Sequence, residues 1–173
     1  MLAYLFFHQP AVSVDRGEYE EGLRRFHAAL AEGNVEGFIS SSTYRVGGRY
    51  CDWYLVQNSA ALDVLNDAAV SGPRLHVHDA VAHQAIDGAG KLLKLIAGNH
   101  DASAGFEVRF SKPRGASYGQ LYSLLKPWTD REDVSLWRRM MVLGPPPEFV
   151  LLSRSREELP GDMEPEILIR ETI

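Results

Sequence analysis

The sequence predicts an α+β fold made of two tandem ferredoxin-like halves with antiparallel sheets and an inserted helix. Three observations carry this. A short apolar run that ends in proline and leads into a helix-like segment occurs twice, at Leu2–Pro10 and at Gly105–Pro113. Each copy is followed by two strand-like runs joined by a Gly- or Pro-rich turn, Gly47 with Gly48 in the first and Gly144–Pro147 in the second. A chain of 173 residues is long enough for one domain or two small halves, and for a core that needs no disulfide.

The elements follow in order. Residues 2–8 read as a strand with Tyr4, Phe6 and His8 on one face and Ala3, Leu5 and Phe7 on the other; both faces are largely apolar, so both are expected to be covered. Asp15 with Glu18 resembles a capping box, and Tyr19, Leu23, Phe26 and Leu30 follow at helical spacing until Gly33. Residues 35–46 and 49–57 read as a hairpin. Ser59 opens a short helix through Leu62, Leu65 and Ala69, stopped at Gly72 and Pro73. The spacing over 76–97 predicts a further helix, interrupted near Gly88 and Gly90. Residues 99–104 are small and polar, a connection between a first half at 1–98 and a second at 105–173. There Phe106, Val108 and Phe110 alternate with Glu107, Arg109 and Ser111, a half-buried strand. A helix is expected over 117–126, a second hairpin from 136–143 and 149–153, a helical turn over 154–161 and a last strand over 166–170, placed at an edge.

Composition narrows the function classes. With 45% hydrophobic and 24% charged residues the chain is an ordinary globular one. The net charge of -5 is spread evenly, so there is no basic footprint for nucleic acid. The apolar start is too short for a membrane span and lacks a basic region before it, and Cys51 has no cysteine to pair with, which together fit a cytoplasmic protein.

The β-α-β-β order, taken twice, resembles the dimeric α/β-barrel superfamily, whose members include monooxygenase-like, EthD-like and chlorite-dismutase-like proteins. The resemblance is one of architecture and implies a pseudo-dimeric α/β barrel. It further implies a small-molecule ligand, an oxygenase-like or isomerase-like role, and haem in some relatives. It brings no catalytic motif, and the cofactor is unknown. Whether the halves pair within one chain or across a homodimer stays open.

Three groups of residues could carry chemistry. His76, His78, Asp79 and His83 form the densest polar cluster; the three histidines have ligand chemistry for zinc or iron, and His78, Asp79 and His83 could serve in acid–base catalysis. Their spacing matches no metal motif, and a solvated helix start is the simpler reading of them. Tyr44, Asp52, Trp53, Tyr54, Arg109, Arg138 and Arg139 lie on candidate strands, where aromatics with a few polar groups suit a small-molecule site; Tyr54, Arg109 and Arg138 are the expected substrate contacts, the arginines for an anionic group. His8 shares the face of Tyr4 and Phe6 and is a further candidate. Glycine-rich phosphate loops are absent, and the acids at 157, 158, 164 and 166 are expected at the surface. The functions left standing are a small-molecule-binding protein or enzyme with a pocket beside the sheet or inside the pseudo-barrel, a non-catalytic oligomeric interaction protein with a filled interior, and a metal-dependent enzyme built on His76–His83.

Overall fold

A computed structural model describes residues 1–141 and 146–173. The chain is α+β, with four α-helices and eight strands among the described residues. It divides into two compact units: Met1–Lys91 with Thr172–Ile173, and Leu92–Glu171. Among the described residues no helix is long and apolar enough to cross a membrane.

The first unit contains β1 (Leu2–Pro10), α1 (Arg16–Ala31), β2 (Phe38–Val46), β3 (Arg49–Val56), α2 (Ala60–Ala69), α3 (Leu75–Ala82) and the start of β4 (Ala85–Ala97). Strand β3 lies between the other two, antiparallel to β1 from Leu2↔Val56 to His8↔Tyr50 and to β2 through Val46↔Arg49. Gly47 and Gly48 make that hairpin possible: their φ values of 58° and 79° lie where side chains are strained. The covered strand expected from both apolar faces of β1 is present, with Ala3 and Leu5 fully buried on one face and His8 on the other. Asp15 caps α1, its carboxylate accepting from Glu18 N at 3.0 Å. The helix buries Tyr19, Leu23, Phe26, His27 and Leu30.

The helix expected over 76–97 is corrected. It stops at Ala82, and a thirteen-residue strand, β4, takes its place. The start of β4 runs beside β1, where Ala11 N donates to Gln84 O at 2.8 Å. Two glycines weaken a helix by about 1 kcal/mol each. Here they instead admit two rings: a Cβ on Gly88 would stand 2.9 Å from Phe6 Cζ, and one on Gly90 2.6 Å from Tyr4 Oη. Two boundaries also move. The strand expected from residue 35 begins at Phe38, and Ser59 caps α2 without a side-chain hydrogen bond, Asn58 Oδ1 accepting from Ala61 N instead.

The second unit takes the rest of β4, then β5 (Phe106–Phe110), α4 (Tyr118–Thr129), β6 (Val134–Arg139), β7 (Phe149–Ser153) and β8 (Glu166–Thr172). Its antiparallel order is β4-β6-β7-β5-β8. The core joins Val108 and Phe110 of β5 to Leu121 and Leu125 of α4 and to Leu136, Phe149 and Leu151. Ser117 and Gln120 close a capping box at the start of α4. The turn expected at Gly144–Pro147 falls largely outside the described residues, while the strands on either side pair as expected. Three expectations are overturned here. β5 is not half-buried by face, since Glu107 is fully buried as well, its Oε1 accepting from Arg109 Nε at 2.6 Å. No helical turn forms over 154–160; a single 3-10 turn follows at Gly161–Met163. Glu157 is buried rather than solvated, because Ser153, Ser155 and Arg131 all reach its Oε1.

Candidate functional site

Within the first unit a cavity of about 450 Å³ opens between the sheet and the helices. Its sheet wall is the β1 face of Tyr4, Phe6 and His8, continued by Asp52 and Tyr54 of β3. Period-two alternation brings these five to one surface, since Phe6 pairs with Asp52 and Tyr4 with Tyr54 across the strands. Helix α1 adds Tyr19, Leu23 and Phe26 at spacings of four and three residues, α2 adds Leu62, Asp63 and Leu65, and α3 adds His78 and Val81. An apolar cavity of this size with a few convergent polar groups is the usual form of a small-molecule site.

The polar groups meet on Asp52, which is 3% exposed. Its Oδ1 accepts from Thr43 Oγ1 at 2.5 Å, and its Oδ2 accepts from Tyr54 Oη at 3.0 Å. His8 Nε2 and His27 Nε2 stand 3.3 Å and 3.4 Å from Oδ1. Burial opposes ionisation of Asp52, but the interactions with His27 and His8 outweigh it and hold the carboxyl well below the usual carboxylate range. The neighbouring phenols respond in the opposite sense. Burial first, and then the charge of Asp52, raises Tyr4, Tyr19 and Tyr54, so all three keep their protons.

The histidine tautomers follow from the partners. Thr43 has one proton and gives it to Asp52, so its oxygen accepts from His27 Nε2 at 2.8 Å. The Nδ1 of His27 lies 2.7 Å from Ser41 Oγ. His8 turns Nε2 toward the carboxylate and takes the Tyr19 hydroxyl proton in a hydrogen bond at Nδ1, 2.5 Å away. Its ring is held in place by stacking on Phe6 and on its cross-strand partner Tyr50, with centroids 5.4 Å and 5.8 Å apart. Two chains therefore end on one carboxylate: Tyr19–His8–Asp52 from the cavity wall, and Ser41–His27–Thr43–Asp52 from the opposite side. The second begins at a smaller polar cavity of about 170 Å³ lined by Arg24, His27, Ser41, Ser42 and Thr43. Every member of both chains before the ionised Asp52 can donate and accept, so each chain can pass a proton toward the carboxylate by concerted exchange.

The residues expected from sequence are placed as follows. His8, Asp52 and Tyr54 converge in the cavity, and His78 lines it as well. His78 Nδ1 lies 3.0 Å from Asp79 Oδ1, and the ring meets Phe26 edge-on at 5.5 Å. His83 does not line the cavity; its Nδ1 bonds the backbone oxygen of Asp79 at 2.6 Å, and His76 is exposed. Among the described residues no three His, Cys, Asp or Glu side chains gather in a group that could hold a metal ion. Arg109 and Arg138 belong to the second unit: Arg109 is held by Glu107, and Arg138 lies 5.0 Å over the Tyr118 ring and donates to Tyr122 Oη at 3.1 Å. Neither lines the cavity. Tyr44 and Trp53 stand on the sheet face opposite Asp52, and Arg139 donates to Met141 O.

Sequence reasoning missed His27, Thr43 and Tyr19. One signal was present: His27 occupies the buried face of α1, four residues after Leu23, where a histidine needs internal partners. A haem does not fit these residues. His8 is taken up between Tyr19 and Asp52, and the cavity offers Asp52 and Asp63 but no Lys or Arg to meet propionates.

No protein-family model matches the chain, and no curated protein matches it in sequence. Solved structures do resemble it. A candidate monooxygenase from Lactobacillus acidophilus NCFM aligns over 99% of this chain and 93% of its own, with a TM-score of 0.63 and 11% identity. An anthrone oxidase-like protein aligns over 99% and 91%, with a TM-score of 0.59 and 11% identity. A candidate chlorite dismutase aligns over 100% and 95%, with a TM-score of 0.51 and 11% identity. The chain thus shares the α+β architecture of these structures, as the tandem order implied; at such identity the likeness shows the fold alone.

Proposed function

We propose that the first unit's cavity is the active site of a small-molecule enzyme of oxygenase-like or isomerase-like type that begins by removing a proton from its substrate. The observation that carries this reading is the Tyr19–His8–Asp52 chain opening onto an apolar cavity. Tyr19 offers an oxygen lone pair to a substrate O–H or activated C–H while its own proton points at His8 Nδ1. As the substrate proton moves to Tyr19 Oη, the Tyr19 proton moves to His8, and the imidazolium faces the ionised Asp52. The bonding pair stays on the substrate, which gains a negative charge, and His8 gains the matching positive one, so the net charge of site and substrate together does not change. In the isomerase-like branch the proton returns to a different substrate atom. In the oxygenase-like branch the substrate's freed electron pair reduces dioxygen and a C–O bond forms, the resulting peroxide takes up the proton held on His8, and cleavage of its O–O bond with loss of water leaves a carbonyl on the substrate; the candidate monooxygenase and the anthrone oxidase-like protein that share the architecture support this branch. A non-catalytic protein with a filled interior has no use for a cavity of about 450 Å³.

A second reading uses His78 as the base, favoured by the same cavity wall and by Asp79 at 3.0 Å from its Nδ1. One experiment separates the two. Para-nitrophenol is titrated with protein at a pH where the free phenol is protonated, and its visible phenolate band is followed. The Tyr19 relay predicts that the bound probe shows the phenolate band, that Tyr19→Phe loses it, and that His78→Gln keeps it. The reverse pattern assigns the base to His78. A bound probe that keeps its neutral spectrum overturns both.

A further inference from the structure

We infer that the ligand of this cavity is a neutral or cationic molecule, a protonated amine being held best, and that carboxylates and other anions are excluded. The inference deepens the reading of the cavity as a ligand site and rests on it. Charge is the first ground. The lining carries two carboxylates, Asp52 on the floor and Asp63 on the α2 wall, and no Lys or Arg. The groups that reach Asp52 are the Thr43 and Tyr54 hydroxyls and the His8 and His27 imidazoles. The arginines of this region answer to other acids: Arg16, Arg24 and Arg45 all lie against Glu20, with Arg24 also on Glu21. An anion entering the cavity therefore meets like charge in a poorly solvated space.

The second ground is the wall itself. Tyr4, Phe6 and Tyr54 present aromatic rings on the sheet side, and Tyr19 and Phe26 on the helix side. Aromatic faces attract a cation through the ring quadrupole, and a carboxylate at the base of such a cage adds a fixed anchor. Asp52 Oδ2 accepts a hydrogen bond from Tyr54 and has a second lone pair for an N–H or O–H donor. The arginine-held anionic group expected from Arg109 and Arg138 has no counterpart in this cavity.

The test uses one ring system with three charges: naphthylmethylamine, protonated at neutral pH, naphthylmethanol and naphthoate. Each is titrated against the full chain carrying fluorescent N-phenyl-naphthylamine, a neutral reporter. The amine is expected to displace the reporter at the lowest concentration, the alcohol next, and naphthoate only at a concentration at least about tenfold higher than the amine. Asp52→Asn should narrow that gap most. Asp63→Asn, an exposed change that leaves the floor network alone, should narrow it by a smaller factor and serves if Asp52→Asn fails to fold. Naphthoate binding as well as the amine overturns the inference while leaving the cavity a ligand site. So does a gap that neither variant changes. If neither the reporter nor any of the three binds, the reading of the cavity as a small-molecule site falls, and the charge preference with it.

Discussion

Replacing Asp52 tests the floor of the cavity most directly. Asp52→Ala removes the acceptor for Thr43 Oγ1 at 2.5 Å and Tyr54 Oη at 3.0 Å, and the anion that faces His8 and His27. Hydrogen bonds to a charged group contribute about 1.5–3 kcal/mol each, and removing one partner of a buried charged pair costs about 3–5 kcal/mol. These terms belong to one network and do not add. We expect Asp52→Ala to lower stability by about 3–5 kcal/mol. Asp52→Asn, which keeps the volume and one acceptor, should cost roughly half of that. The assay is urea unfolding followed by tryptophan fluorescence, with the midpoint converted at constant slope. The pH dependence has a definite sign. A carboxyl whose pKa falls on folding stabilises the protein above its ordinary value of 3.8, and that contribution is lost as acid protonates it. The gap between the wild-type protein and Asp52→Asn should therefore hold from neutral pH down to about 4 and shrink below it. A cost under about 1 kcal/mol for Asp52→Ala, or a gap that stays flat through acid, would refute the assignment of Asp52 as a buried anion held by these neighbours.

Two substitutions at glycine probe the backbone. Gly90→Ala places a Cβ 2.6 Å from Tyr4 Oη and 2.9 Å from Tyr4 Cε2, so the ring must shift; binding of N-phenyl-naphthylamine should weaken several-fold while the melting temperature moves little, and unchanged binding would detach Tyr4 from the ligand wall. Gly98→Ala is expected to be severe, because its φ is 74° and a Cβ would stand 2.0 Å from Val134 O; a loss of about 3 kcal/mol or more in urea unfolding is expected, and a neutral effect would show that the chain at this point can rearrange.

Much of the architecture is legible in local pattern. The alternation of Tyr4, Phe6 and His8 against Ala3, Leu5 and Phe7 marks β1 and its two covered faces, and Asp15 and Gly47 with Gly48 mark a helix start and a hairpin. The region 76–97 was misread because its apolar residues fit a helical period about as well as an alternating one. Phe6 and Tyr4, some eighty residues earlier, tip the balance by lying over Gly88 and Gly90. Glu157 was misplaced for a similar reason: the side chains that stabilise it, Ser153, Ser155 and Arg131, are not signalled by its neighbours in sequence as a group.

The site divides along the same line. His8, Asp52 and Tyr54 could be singled out because polar residues interrupt apolar strands, and each carries a face that alternation assigns. His27, Thr43 and Tyr19 could not be joined to them, because each reaches Asp52 or His8 from an element whose distance is set by packing rather than by period. The histidines at 76, 78 and 83 lie close in sequence, yet only His78 reaches the cavity, since a helix turns neighbouring side chains outward in different directions. By itself the sequence determined the element types, their tandem order and the faces that must be buried, all of which depend on residues a few positions apart. Tertiary structure alone decided which buried polar groups share one carboxylate, where the cavity opens and what charge it presents, because those depend on distances between residues that the chain brings together only when it folds.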